Sequence, residues 1–214
     1  MMHVERFEFN MLGVNTYVAF DETTREAVVI DAGCYYERER NILENYLTEN
    51  RLKLIHLLNT HLHFDHIFGN GFVHARYGLK LEANPGDEDW LKGAVERTRM
   101  FGLVFPEEPV EIGVCLQEGD IVRFGNCELH CLSVPGHSRG SLAFYAPKDQ
   151  VIFTGDALFF GSIGRTDLPG GNYDELIDSL HEKLLVLPEE TIVYPGHGEA
   201  TTIGHEKHYN YYLT

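Results

Sequence analysis

Leu52-Lys53-Leu54-Ile55-His56-Leu57-Leu58-Asn59-Thr60-His61-Leu62-His63-Phe64-Asp65-His66 is the stretch on which the reading of this chain turns. Residues 52–58 form a short apolar run that reads as a buried strand. The strand ends at Asn59-Thr60, and His61 and His63 follow two apart. In extended backbone, residues i and i+2 face the same way, so both imidazoles can address one point. Asp65 and His66 come next, as the chain turns into an expected helix, and they can address a neighbouring point. One loop thus offers three imidazoles and a carboxylate, ligand types suited to zinc, iron or manganese.

The same arrangement recurs further along the chain. Pro135-Gly136-His137 follows an expected strand over 127–134. Gly155-Asp156 follows another over 151–154, and Pro195-Gly196-His197 a third over 191–194. Each time a His or Asp stands just past an apolar strand, beside a Gly that lets the backbone turn. Strand-end loops are where functional side chains concentrate. The remaining histidines, His3, His56, His74, His130, His181, His205 and His208, fall in no such pattern and read as structural or exposed.

Around these motifs the periodicity alternates between strand and helix. Residues 3–9, 15–21, 27–31 and 79–83 read as further strands. Residues 35–51, 65–77 and 87–101 read as helices. Gly125-Asn126 joins 120–124 to 127–134 as a hairpin, and residues 147–150 join 141–146 to 151–154. Asn172 is placed to cap a helix, with Glu175 as its capping-box partner. Leu176, Leu180 and Leu184 then lie on one face. Two sheets packed face to face with helices outside would bury every apolar face, an α/β arrangement with mixed sheets.

Composition narrows the function. The chain has 214 residues, 43% hydrophobic and 23% charged, which suits one domain spanning 1–214. There is no apolar stretch of about 18 residues and no basic-then-apolar start, so the expectation is a cytoplasmic protein without a membrane partner. Seventeen Lys and Arg stand against thirty-three Asp and Glu, a formal charge of −16. That balance disfavours nucleic acid. Cys34, Cys115, Cys127 and Cys131 form no CxxC pair and read as buried reduced thiols, with Cys127 and Cys131 on one strand face.

The set Thr60–His66, Pro135–Ser138, Thr154–Phe159 and Tyr194–Gly198 resembles the metallo-β-lactamase superfamily, over roughly residues 15–200. The resemblance implies a four-layer αβ/βα sandwich of two mixed β-sheets with the site along one edge. It implies two divalent metal ions, zinc foremost, with iron or manganese as alternatives. By that resemblance His61, His63 and His137 hold the first ion, Asp65, His66 and His197 the second, and Asp156 bridges them. Asp65 and Asp156 are then the catalytic carboxylates, and the chemistry is hydrolysis of a carbonyl compound by metal-activated water. There is no G-x-S-x-G motif to supply a serine nucleophile.

Within the superfamily the chain looks most like small glyoxalase II-like members. Gly69-Asn70, Gly155–Phe159, Gly161–Asp167 and Pro169–Gly171 carry that likeness. It implies a small thioester substrate such as S-D-lactoylglutathione, with Arg165 as a candidate clamp for a substrate carboxylate, or else a partner of Asp167. Three departures bear on the substrate. The family's C-terminal helical domain is not expected here, and Asp167 and Glu199 stand where the family has tyrosines. Asp156 in place of a cysteine favours this branch over antibiotic hydrolysis. Competing readings are a mononuclear iron persulfide dioxygenase using His61, His137 and Asp156, a lactonase, and a non-catalytic metal-binding protein. Tyr209, Tyr211 and Tyr212 are expected to pack against the body rather than cover the site.

Overall fold

The structure is a computed structural model describing residues 1–214. The chain opens with three antiparallel-paired strands, β1 (Met2–Phe9), β2 (Val14–Asp21) and β3 (Glu26–Ile30). Helix α1 (Glu37–Glu49) crosses to β4 (Lys53–Leu58), which lies parallel to β3. Helix α2 (Asn70–Tyr77) leads to β5 (Leu81–Ala83), and α3 (Glu88–Lys92) and α4 (Ala94–Met100) lead to β6 (Ile112–Cys115). These six strands form one mixed sheet in the order β1-β2-β3-β4-β5-β6.

The second half supplies β7 (Ile121–Phe124), β8 (Cys127–Ser133), β9 (Leu142–Ala146) and β10 (Val151–Gly155). A small hairpin, β11 (Leu158–Phe159) and β12 (Ser162–Ile163), precedes α5 (Tyr173–Ser179). The chain closes with β13 (Ile192–Pro195), β14 (Thr201–Thr202) and α6 (Ile203–Tyr209). The second sheet runs β14-β13-β10-β9-β8-β7, with β10 and β13 its parallel pair.

Alternation along the strands explains the layering. In β3, Ala27 and Val29 join the core between the first sheet and its helices, while Val28 and Ile30 join the core between the sheets. In β10, Val151 and Phe153 face the same inter-sheet core, and Ile152 faces a third core with α5 and α6. Both faces of each sheet are therefore buried, giving three apolar layers between four layers of structure. The expected αβ/βα sandwich of two mixed sheets is the observed fold.

Several local expectations are refined. The helix expected over 65–77 is interrupted. A 3₁₀ turn covers Phe64–His66, and α2 begins only at Asn70. Gly69 marks the break: its amide donates to the Ala32 carbonyl at 2.7 Å, and a Cβ there would lie 2.3 Å from Cys34 Sγ. The helix over 87–101 is likewise split at Gly93. Asn172 does cap α5, its Oδ1 accepting from the Glu175 amide at 3.2 Å. Its own amide goes to the Gly136 carbonyl rather than to Glu175, so the box is only half formed. Leu176, Leu180 and Leu184 are all fully buried, the last turn widening into a π-helix over Leu180–Leu184.

Cys34, Cys127 and Cys131 are buried free thiols, but Cys115 is exposed, because β6 is an edge strand. Tyr209, Tyr211 and Tyr212 do not pack as expected. They stand 75%, 86% and 46% exposed, since α6 turns Ile203 and Glu206 inward instead. No helix is long and apolar enough to cross a membrane.

Candidate metal centre

The carboxyl ends of β4, β10 and β13 lie at one edge of the sandwich, with the loop after β8. Their loops bring together all seven residues that the sequence singled out. His61, His63 and His137 place ligand atoms within 4.8 Å of one another, and so do Asp65, His66 and His197. Asp156 stands between the two trios. Its Oδ2 lies 3.7 Å from His137 Nε2 and 3.6 Å from His197 Nε2, and its Oδ1 is 3.4 Å from His66 Nε2. Asp65 Oδ2 is 3.4 Å from His197 Nε2.

The nitrogens that do not face the centre are held from behind. His66 Nδ1 is 3.0 Å from Asp31 Oδ2, and His137 Nδ1 is 2.8 Å from the Arg165 carbonyl. His197 Nδ1 is 3.2 Å from the Gly13 carbonyl, and His61 Nδ1 is 3.1 Å from Thr60 Oγ1. An acceptor behind each ring fixes the proton on that nitrogen and turns the other one inward.

Most of what faces inward has no hydrogen-bond partner. His61 Nε2, His66 Nε2 and Asp156 Oδ1 are buried without one, while His137 Nε2 and His63 Nδ1 meet each other at 2.9 Å. Buried polar atoms are normally paired, so this concentration of unpaired ring nitrogens and carboxylate oxygen fits a cation. The donor set is imidazole and carboxylate, which suits zinc, iron or manganese.

The charges agree. Burial drives His61 well below the usual imidazole range, and the imidazoles of His66 and His63 push the same way. Burial, reinforced by His137, brings His63 down to about 3. Burial also opposes the charged form of His66, but Asp156, Asp65 and Asp31 outweigh it and hold that ring well above its ordinary value. His197 is raised against burial by Asp65 and Asp156. Burial alone would raise Asp156, yet His66 and His197 hold it well below the carboxylate range. The two imidazoles whose charged form is favoured, His66 and His197, stand where divalent charge would otherwise sit.

Two carboxylates that sequence reasoning passed over organise this edge. Asp31 accepts from Thr60 N at 2.8 Å, Thr60 Oγ1 at 2.7 Å and Asn59 Nδ2 at 3.2 Å, besides its contact with His66. It also lies near His61 and His66 at ligand spacing, but its oxygens are already engaged, so it supports the centre. Asp87, fully buried, accepts from Leu62 N at 3.2 Å, Ser138 Oγ at 2.7 Å and Gly140 N at 2.7 Å. It ties the loop of His61 and His63 to that of His137. Asp31 carried a usable signal, being an Asp at the end of a strand with Gly33 nearby. Arg165 is 60% exposed in its side chain, and its guanidinium grips Asp167 in a two-point pair of 2.7 and 2.8 Å.

A sequence model of the Metallo-beta-lactamase superfamily matches residues 10–197. The chain belongs to that superfamily. As a metallo-beta-lactamase superfamily protein it is similar, at 34% identity over 99% of this chain and 98% of the relative, to the hydroxyacylglutathione hydrolase GloC of Haemophilus influenzae. Among solved structures it is similar to BLEG-1 B3 metallo-beta-lactamase, with a TM-score of 0.87 and 33% identity, covering 99% of this chain and 100% of that one. It is also similar to TTHA1623 in a di-iron-bound form, with a TM-score of 0.85 and 37% identity, covering 98% and 100%. The superfamily is one of metallo-hydrolases, and the His and Asp clusters of this chain could bind metal.

Proposed function

We propose that this protein is a dinuclear metal-dependent thioesterase acting on a small acyl-thiol such as S-D-lactoylglutathione. The observation that carries the proposal is Asp156 Oδ2, nearly equidistant from His137 of one trio and His197 of the other. A carboxylate so placed is suited to bridging two ions. His61, His63 and His137 would hold one, and Asp65, His66 and His197 the other. Zinc is the first choice, with iron or manganese as alternatives. The ions when bound would supply an activated water and polarise the carbonyl.

The chain's own groups do the rest. Asp65 meets His66 and His197 through Oδ2, which leaves Oδ1 to orient the attacking water and take its proton. His197 is the more open side of the centre, with 29% of its side chain accessible against none for His66. A structural site would be closed, whereas this one is open on the side of His197. The resemblance to GloC over nearly the whole of both chains supports a thioester as the compound cleaved. Arg165 would reach a substrate carboxylate only by exchanging Asp167 for it. Its backbone carbonyl already serves the centre by holding His137. The setting we propose is cytoplasmic, as one domain, with no nucleic-acid or membrane partner.

The test is release of free thiol from a panel of acyl-thioesters by metal-loaded protein, with metal counted per chain. Two ions and turnover above free metal are expected. One iron per chain with thiol-dependent oxygen uptake would replace this reading with a persulfide dioxygenase. Turnover confined to lactones or lactams would remove the thioester.

A further inference from the structure

We propose that the cavity bounded by Trp90, Arg97 and Arg139 is a subsite for a carboxylate of the substrate's thiol portion, a specificity site beside the metal centre. The inference rests on the thioesterase reading only for the identity of the bound molecule. The cavity is about 240 Å³ and opens beside the loop of Pro169 and Gly170.

Its position relative to the chemistry is set by Trp90. The indole meets the His63 ring at a centroid separation of 4.1 Å, and the Arg97 guanidinium lies over the same indole at 4.1 Å. One indole therefore separates the cation from a candidate metal ligand. A group bound at Arg97 is then within the span of a small peptide thiol whose acyl carbon sits at the metals. Trp90 itself is anchored, its Nε1 donating to the Pro169 carbonyl at 3.1 Å.

The cations are held ready and left unneutralised. Arg97 Nη1 donates to the carbonyls of Asp89 and Trp90 at 3.0 and 3.2 Å, so the guanidinium is fixed by backbone rather than by a carboxylate. It reaches back only because residue 93 is glycine. A Cβ there would lie 2.0 Å from Arg97 Nη1. Arg139, two residues past His137, is exposed and makes no hydrogen bond or ion pair through its side chain. In a chain with sixteen more acids than bases, two arginines facing one cavity without a carboxylate partner is an unusual arrangement. Two acids also line it. Asp87 turns its oxygens to Leu62, Ser138 and Gly140, and Asp89 stands at the exposed rim without pairing to either arginine. Guanidinium forks of this kind match a planar carboxylate.

Trp90 is the chain's single tryptophan, so its fluorescence reads occupancy of the cavity without any turnover. Metal-loaded protein is titrated with S-methylglutathione, which has no thioester to cleave. A saturable change is expected, weakened about tenfold or more by Arg139→Gln and restored only in part by Arg139→Lys, which keeps the charge without the fork. The diethyl ester of the probe should bind wild type as weakly as the diacid binds Arg139→Gln. Asp89→Asn should tighten binding, an outcome no misfolded variant can imitate. Equal affinity of diacid and diester, or no effect of Arg139→Gln, overturns the proposal. So does a response reproduced by inorganic phosphate at the same concentrations, which would make the cavity a free-phosphate site. If the fluorescence behaves as expected but no thioester is cleaved, the thioesterase reading falls while the carboxylate site stands.

Discussion

At one end of β2, Asp21 is buried and accepts four hydrogen bonds, from Thr23 N, Thr24 Oγ1, Asn126 N and Asn126 Nδ2. At the other end, on the order of 23 Å away along an eight-residue strand, Val14 abuts His197 and the buried Oδ1 of Asp156 has no hydrogen-bond partner. Both aspartates join the two halves of the sandwich. Asp21 of the first sheet holds the turn between β7 and β8 of the second. Asp156 gathers histidines from the loops of both. The difference lies in satisfaction. The far edge closes its polar groups on one another and stabilises the fold. The near edge points them at an unshared centre, a cost that only a ligand repays. Substitutions at the two ends should therefore separate function from stability.

Asp156→Asn breaks the near edge most severely. It keeps the volume but removes the charge shared by both trios. We expect hydrolysis to fall by at least about 10³-fold in metal-saturated protein, with the thermal midpoint of the metal-free form within a few degrees of wild type. Retained turnover would rule out the two-ion mechanism.

Asp31→Asn should act one step further out. The amide can still accept from Thr60 N but cannot match the carboxylate behind His66 Nδ1. Loss of such an outer partner typically costs about 10–100-fold in metal affinity. Competition against a chelator would measure it. If affinity is unchanged, Asp31 is a packing residue.

The titrating groups set the pH response. In the metal-free protein His66 and His197 are raised, so their contribution to stability is complete below the unfolded imidazole pKa and is lost as pH rises through their folded values. His61 and His63 are lowered, so their charging in the unfolded chain costs stability as pH falls below about 6.5. The site's share of metal-free stability therefore peaks near neutrality. Metal competes with protons for the raised His66 and His197, so its affinity falls with falling pH. Calorimetry in buffers of different ionisation enthalpy should show proton release on metal binding at pH 7. Zero release would contradict the proposed second trio.

How much of this was legible beforehand follows the same division. The seven convergent residues could be read because each stands beside a strand end, and strand ends are visible in an apolar pattern. The four-layer arrangement itself came from the family likeness, since periodicity gave only mixed sheets with helices outside. The helix breaks at Gly69 and Gly93 were not visible. At Gly69 the approach to Cys34 comes from a segment remote in sequence, and at Gly93 it is the Arg97 side chain that folds back onto the glycine, neither of which shows in the apolar pattern. Strand β6 escaped because its residues are partly or fully exposed and show no alternation. Glu206 shows the limit most plainly. A glutamate in a helix reads as surface, yet it is fully buried, accepting from Gly161 N, Thr201 Oγ1 and Asn210 Nδ2. Only the tertiary donors make that placement possible.

The mildest perturbation is Asp21→Ala at the far edge. Burial would raise this carboxyl, but its hydrogen-bond donors, foremost the Asn126 amide, outweigh it and hold the group down to about 2. A depressed carboxylate contributes stability that is present above its unfolded pKa and is lost as pH falls from about 4 towards 2. Removing it leaves donors of the β7–β8 turn unmet and should cost about 1–3 kcal/mol at neutral pH. It should also flatten the acid limb of the stability profile. Glu26, which accepts from the Gly125 amide at 2.9 Å, still ties the turn to the first sheet, so the fold should survive. Metal stoichiometry should remain at the wild-type value, because no hydrogen bond of Asp21 reaches the near edge. A parallel loss of metal would mean that the two ends are coupled through β2, and the separation of stability from function along that strand would fail.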